Sequence, residues 1–238
     1  MLVKYLASNF NRKGPTLLLK ILLIVDILFI IGHICSALLH HFELGTFRAF
    51  MVDQDGGYPE LFQYLKYLTI VLLVAKLAFD NKKYDYLPWL VLFLILFFDD
   101  AFMLHEQSGV YFVEVFNLKP AFGLRALDIG EFTFAVLAGL VFLGPLLWFY
   151  IRGSEVVKKT FFDISILFSI LLFFAIGVDM VHQLFEEYYV AYAVIALIED
   201  GGEMIALSVL VWYFYFIGSV PDGERTFLCN YFIPKRKI

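Results

Sequence analysis

Apolar residues in this chain form six long blocks that are separated by short polar segments. A helix needs about 20 residues to cross a hydrocarbon core of about 30 Å, and each block is near that length. The run PWLVLFLILFF at 88–98 is continuously apolar, without alternating polar positions. The pattern therefore favours membrane helices over the strands of a barrel. The predicted spans are residues 16–41, 59–79, 86–107, 127–150, 161–186 and 199–218.

The composition agrees with this prediction. Of the 238 residues, 61% are hydrophobic and 17% are charged, whereas a soluble domain carries about 25% charged residues. We expect an all-α integral membrane protein with one polytopic domain over residues 1–238 and the lipid bilayer as its main partner. The chain has no basic patch with interleaved aromatic residues, so a nucleic-acid partner is not expected.

The basic residues predict the orientation of the helices. They concentrate near the N-terminus and in alternate segments, at 82–83, 152–159 and 225–237, while the other loops hold few lysines or arginines. Because cytoplasmic loops of membrane proteins are enriched in lysine and arginine, both termini are predicted to be cytoplasmic. Residues 219–238 then form a basic cytoplasmic tail, and the opposite ends of the helices face outward.

An acidic pattern recurs along the chain and suggests an internal repeat. Asp26, Asp99 and Asp179 lie in the first, third and fifth spans, at intervals of 73 and 80 residues. A short acidic and glycine-containing segment precedes or opens each following span. We interpret this as three tandem helical hairpins, at about 16–79, 86–150 and 161–218, related by a pseudo-threefold repeat.

Ionisable residues within the predicted spans are the most informative feature of the sequence. Such residues are costly in a membrane, usually face the interior of the bundle and often mark functional sites. Lys66 is the one base well placed to meet them, so most of these carboxylates must be protonated, solvated or bound to cations. The pseudo-threefold packing would bring the polar side chains together in the outer half. The candidate metal ligands are Asp26, His33, Asp99, Glu106, Glu131, Asp179, His182, Glu186 and Glu203.

The ligand types predict which metal the site would hold. Carboxylate and imidazole groups without thiolate suit zinc, iron, manganese or copper(II). Asp179 and His182 have the i, i+3 spacing of helical-bundle dimetal sites, with aspartate in place of glutamate. The second Glu-x-x-His motif of such sites is absent, so a ferritin-like assignment fails. A b-type haem is disfavoured because the acids would surround it. Asp128 and Asp200 fit a simpler role as helix caps, since each precedes a glutamate by three residues.

Three functions are compatible with this pattern. The favoured one is a membrane-embedded metal-binding protein, with the metal either structural or used by an enzyme or redox protein that acts on a membrane-soluble substrate. The second is a transporter or channel for protons or cations that uses the same acids, although the apolar inner halves of the spans disfavour it. The third is an accessory subunit that binds other membrane subunits. The sequence leaves open whether the protein is an enzyme.

Overall fold

The computed structural model describes residues 13–79, 83–185 and 188–222. These ranges are helical apart from turns, loops and an isolated β-bridge between Ala121 and Leu124. The α-helices are α1 (Lys13–His41), α2 (Tyr58–Phe79), α3 (Leu87–Phe102), α4 (Leu104–Phe116), α5 (Ala126–Arg152), α6 (Glu155–Leu172), α7 (Asp179–Gln183) and α8 (Tyr189–Ser219).

Four helical stretches are long and apolar enough to cross a membrane, as judged by length and composition. A fifth is reached if α3 and α4, which are bent by 80° relative to each other, count as one span. These stretches overlap the first five predicted spans, whereas the sixth, 199–218, is not among the candidate spans of the described residues. The four are Gly14–His41, Tyr58–Phe79, Ala126–Arg152 and Glu155–Gln183.

Helix α8 is the central helix of the bundle. It packs against α1, α2 and α6, and its second half is buried around most of its circumference, including Leu207, Trp212 and Phe216. A helix that is apolar on all sides is expected in such a position. Helix α8 covers the sixth predicted span but begins at Tyr189 instead of residue 199.

A cluster of aromatic rings joins α3, α6 and α8. The Trp89 ring lies 5.7 Å from the Phe161 ring, and the Phe93 ring lies 5.4 Å from the Phe214 ring in an edge-to-face arrangement. Edge-to-face pairs at these distances are favourable beyond the area that they bury. This cluster fixes one end of the bundle, opposite the end that carries most of the acidic residues.

A buried ion pair connects three helices near the middle of the bundle. Lys66 of α2 donates to Asp26 Oδ1 of α1 at 2.5 Å and to the Met204 carbonyl of α8 at 2.8 Å. Ser208 of α8 donates to the other oxygen of Asp26 at 2.5 Å. The Asp26 and Lys66 side chains are 0% and 1% exposed, so each needs the other to offset the cost of burying a charge.

The third predicted span, 86–107, is interrupted. Helix α3 ends at Phe102, Met103 takes a left-handed conformation (φ 50°), and α4 begins at Leu104 in a new direction. A left-handed residue ends a helix because its backbone leaves the helical path. Asp99 and Glu106, which a straight helix would place on one face, therefore lie on separate helices.

Helices α4 and α5 form a close hairpin through two glycines. A Cβ atom added to Gly130 would lie 2.4 Å from the Gly109 carbonyl oxygen, and one added to Gly109 would lie 2.6 Å from the Glu131 side chain. Any larger residue at either position would push the two helices apart. The contact holds Glu131 beside the first half of α4.

Candidate metal centre

Many of the acidic side chains lie at one end of the bundle, which we call the acidic end. It comprises the last turns of α3, the start of α4 and α5, all of α7 and the first half of α8. Glu203 lies within electrostatic range of Asp100, Asp179, Glu199 and Asp200. Acids of α3, α7 and α8 therefore lie near one another at this end.

Asp179, His182 and Glu199 form a group that could hold a metal ion. One ligand atom of each lies within 4.8 Å of the corresponding atoms of the other two. His182 Nδ1 is 2.6 Å from Glu199 Oε2, and the His182 side chain is 10% exposed. Asp179 and Glu199 are half-buried, which leaves an approach to the group from outside.

Local helix geometry aligns two of the three ligands. Asp179 begins α7, and His182 lies three residues later on the same face, since residues i and i+3 of a helix are neighbours. Glu199 comes from the third turn of α8, which packs against α7. The group thus depends on the spacing of Asp179 and His182 along α7 and on the packing of α7 against α8.

A π-helical turn positions α7 against α8. Residues Phe173–Val178 form this turn directly before Asp179, and π turns inside helices often occur at functional sites. The Phe174 ring fills the space beside Gly202, where an added Cβ would lie 2.2 Å from a ring carbon. Gly202 lies one turn after Glu199, so this contact sets the distance between the two sides of the group.

Neighbouring side chains hold the ligands in place. Gln183 Nε2 donates to Asp179 Oδ1 at 3.1 Å, and Arg125 donates to Gln183 Oε1 at 2.9 Å. The Tyr192 ring lies 3.9 Å from the His182 ring. Partners of this kind orient metal ligands in proteins of known function.

The donor set fits a transition metal. His182 Nε2 is buried and has no hydrogen-bond partner among the described residues, which is unusual because buried polar atoms are nearly always paired. One imidazole and two carboxylates suit zinc, iron, manganese or copper, whereas magnesium and calcium prefer sites made of oxygen atoms alone.

The structure places two predicted ligands outside this group. Asp26 belongs to the ion pair with Lys66 described above. His33 is buried beneath the loop that follows α1, where its Nδ1 accepts a hydrogen bond from the Val52 amide at 3.2 Å and lies 3.5 Å from Asp53. Both side chains therefore have partners of their own.

Four other predicted ligands lie at the acidic end or outside the described residues. Asp99 Oδ2 is 3.4 Å from His105 Nδ1, and Glu131 is half-buried on α5. Glu106 is exposed on α4. Glu186 lies outside the described residues.

Helix capping describes only part of the acidic pattern. Asp128 was expected to cap α5 together with Glu131, but Arg125 holds the N-cap position and Asp128 is the third residue after it. There Asp128 accepts hydrogen bonds from the backbone and guanidinium of Arg125, at 2.8 Å and 2.7 Å. Asp200 was expected to begin a helix, but it lies in the interior of α8, so the expectation that Asp200 is a cap is wrong.

Two residues of the acidic end, Glu199 and His105, were not among the predicted ligands. The predicted sixth span begins at residue 199, so the prediction places Glu199 at a helix end and not inside a helix. The apolar run at 189–198 was the available signal, because it extends the helix backward and places Glu199 inside it. His105 follows the helix break, for which the local sequence gives no glycine or proline signal.

Comparison with known proteins assigns the chain to a family. The family model described as "Domain of unknown function (DUF8692)" matches residues 21–218. The chain therefore belongs to this family, and the match includes the ion pair, the acidic end and the whole three-residue group. No curated protein and no solved structure matches the chain.

Proposed function

For this family member, we propose that the protein is embedded in a membrane and binds a divalent transition metal through Asp179, His182 and Glu199. The observation that carries the proposal is the convergence of their ligand atoms within 4.8 Å around a buried histidine. A buried imidazole between two carboxylates is stabilised by a cation, because the cation offsets the repulsion between the acids.

The proposal includes the arrangement in the membrane. Six spans with both termini in the cytoplasm would place α7 and the first half of α8 in the outer half of the bilayer. The alternation of basic segments along the chain supports this orientation. The proposed repeat of three hairpins would give each pair of helices the same direction of insertion.

A membrane-soluble substrate suits the surroundings of the site. An apolar groove of about 500 Å³ runs along α6 and reaches Phe173 and Phe174 of the π turn, five residues or so before Asp179. The lining is almost wholly apolar apart from Ser165 and Ser169. Such a lining suits the hydrocarbon part of a membrane-soluble substrate.

The ligand number supports a catalytic or redox role over a purely structural one. Catalytic zinc sites use three protein ligands and keep one position for water or substrate, whereas structural sites use four. A metal held here would supply a Lewis acid or an electron-transfer centre. The protein residues would orient the ion: Asp179 is fixed by Gln183, and His182 by the Tyr192 ring.

Elemental analysis of the full-length protein, purified in detergent without chelator, tests the proposal. The wild type is compared with His182→Ala and with a matched control, His40→Ala, which removes an exposed histidine from α1. We expect a near-stoichiometric transition metal in the wild type and in the control, and loss of that metal in His182→Ala.

Two outcomes would contradict the proposal. One is the absence of metal from the wild type after the metal has been resupplied, which would favour a proton or cation transporter or an accessory subunit. The other is full metal content in His182→Ala. Circular dichroism and size-exclusion chromatography of each variant separate the loss of metal from the loss of fold.

A further inference from the structure

The apolar groove of about 500 Å³ follows one face of α6. Phe162 and Phe173 lie at its two ends, and Ser165 and Ser169 lie between them. These four residues follow one another at intervals of three and four, so they share a face of the helix. Because serine is small, the two serines leave open the space that the neighbouring apolar side chains enclose. The volume lies within the usual range of ligand pockets.

The length of the groove matches one leaflet of a bilayer. Phe173 lies 11 positions after Phe162, which corresponds to about 16 Å at a rise of about 1.5 Å per residue. The hydrocarbon core of a bilayer is about 30 Å thick, so the chains of each leaflet extend over about 15 Å. One extended acyl chain is therefore as long as the groove.

The end of the groove near Phe162 carries basic residues. Lys158 and Lys159 lie four and three residues before Phe162, which makes both of them its neighbours on the helix surface. Side chains on a helix lean toward its N-terminus, so the two ammonium groups extend away from the apolar groove and toward the membrane surface.

The acid closest to these lysines holds them weakly. Glu155 Oε1 is 3.6 Å from Lys158 Nζ, and the Glu155 side chain is 82% exposed. An exposed ion pair of this kind contributes little, because water screens both charges. A phosphate group that approaches from the membrane can therefore replace Glu155 as the partner of Lys158.

Trp148 and Arg152 indicate that this end of α6 lies at the level of the lipid headgroups. Both are exposed near the end of α5, and the Arg152 guanidinium lies 3.7 Å from the centre of the Trp148 ring. Tryptophan is enriched at the interface between membrane and water. Because α5 ends at Arg152 and α6 begins at Glu155, the two helices reach the same surface. In the proposed orientation this surface is cytoplasmic, and the cytoplasmic leaflet holds the anionic lipids.

We propose that the groove binds one acyl chain of an anionic glycerophospholipid, with the headgroup phosphate at Lys158 and Lys159. The inference rests on the proposed function, because it names the class of membrane-soluble molecule that the groove takes. The far end of the chain lies against Phe173, six residues before Asp179. The acyl chain, and not the headgroup, is then the part of the lipid that approaches the metal group.

Native mass spectrometry of the full-length protein, delipidated in detergent and titrated with phosphatidylglycerol, tests this inference. We expect one retained lipid per chain in the wild type. The double variant Lys158→Gln with Lys159→Gln should bind it about tenfold more weakly or worse, because each basic residue near the membrane surface attracts anionic lipid. The double variant Ser165→Leu with Ser169→Leu should lose the lipid, because its side chains fill the groove.

Matched controls exist for both double variants. Lys20→Gln removes an exposed lysine from α1, and Gly139→Leu adds a leucine at an open position of α5. Both should bind phosphatidylglycerol as the wild type does. Diacylglycerol with the same chains lacks the phosphate, and inorganic phosphate lacks the chains, so each should bind at least tenfold more weakly than phosphatidylglycerol.

Several results would overturn the inference. They are equal affinity for diacylglycerol and phosphatidylglycerol, unchanged lipid binding in either double variant, and equal loss of lipid in the controls. Size-exclusion chromatography reports whether each variant is folded. If the double serine variant fails to fold, the lysine variant and the diacylglycerol comparison decide.

The metal content of the same samples separates this inference from the proposed metal site. Bound metal without bound phosphatidylglycerol in the wild type overturns the inference alone. Bound lipid without bound metal overturns the metal site alone. The double serine variant should keep its metal, because Ser165 and Ser169 lie outside the group of Asp179, His182 and Glu199.

Discussion

Replacing Lys66 with methionine should strongly destabilise the protein. The change keeps the length of the side chain but leaves Asp26, which is 0% exposed, without its cation. Asp26 would keep a single side-chain hydrogen bond, from Ser208, and the Met204 carbonyl would lose the hydrogen bond from Lys66. Removing one partner of a buried ion pair costs about 3–5 kcal/mol, which on the scale of soluble domains of this size lowers the melting temperature by roughly 6–20 °C.

The double variant Asp26→Leu with Lys66→Met should recover much of this loss. Apolar replacements of similar volume remove both buried charges, and such exchanges are often neutral or stabilising. Asp26→Leu alone should be as damaging as Lys66→Met, because it leaves the lysine charge buried. The comparison of single and double variants isolates the interaction between the two side chains.

The assay is the loss of the monodisperse peak on size-exclusion chromatography after heating in detergent. Lys76→Met is the matched control, because Lys76 is an exposed lysine of the same helix and should change little. Equal melting temperatures for Lys66→Met and Lys76→Met would refute the claim that the ion pair stabilises the packing of α1, α2 and α8. So would a double variant as unstable as the sum of the two single variants.

Three further predictions concern the packing and the orientation of the helices. Gly130→Ala should lower the melting temperature, because its Cβ would meet a backbone oxygen of α4 at 2.4 Å, whereas Gly139→Ala faces open space and should not. Gly202→Ala should weaken metal binding in a dialysis assay by displacing Phe174 and the π turn, whereas Gly218→Ala, also in open space, should leave binding unchanged. A reporter that works only in the cytoplasm should be active when fused to the C-terminus, and a reporter that works only outside the cytoplasm should be inactive there. The reason is that the basic tail predicts a cytoplasmic C-terminus.

Each of these predictions has a result that would contradict it. Equal melting temperatures for the two alanine variants in α5 would mean that the α4–α5 contact does not limit stability. Unchanged metal affinity in Gly202→Ala would mean that the π turn does not set the ligand geometry. If a reporter that works only outside the cytoplasm is active at the C-terminus, the proposed orientation is wrong.

The positions of most helices could be predicted from the sequence because each carries a long apolar run. The predicted span 59–79 differs by one residue from α2, at Tyr58–Phe79. The i, i+3 spacing of Asp179 and His182 likewise required only the helical period. These features depend on neighbours along the chain, which the sequence displays directly.

Other features depend on contacts between distant segments. Met103 ends a helix without the glycine or proline that usually marks such a point, so the bend between α3 and α4 has no local signal. Glu199 lies inside a helix although acids usually stand at helix starts. Its burial becomes tolerable through His182, a partner from another helix that periodicity does not reveal.

Two glutamates of α8, Glu199 and Glu203, are alternative ligands for the proposed metal. Both are half-buried on α8, four residues apart, and both face the acidic end. The most direct measurement is therefore the metal affinity of Glu199→Gln beside Glu203→Gln, by equilibrium dialysis of the full-length protein. We expect Glu199→Gln to lose metal affinity at least tenfold, about 1.4 kcal/mol, while Glu203→Gln stays close to the wild type. Loss in Glu203→Gln with unchanged binding in Glu199→Gln would contradict the site at Asp179, His182 and Glu199.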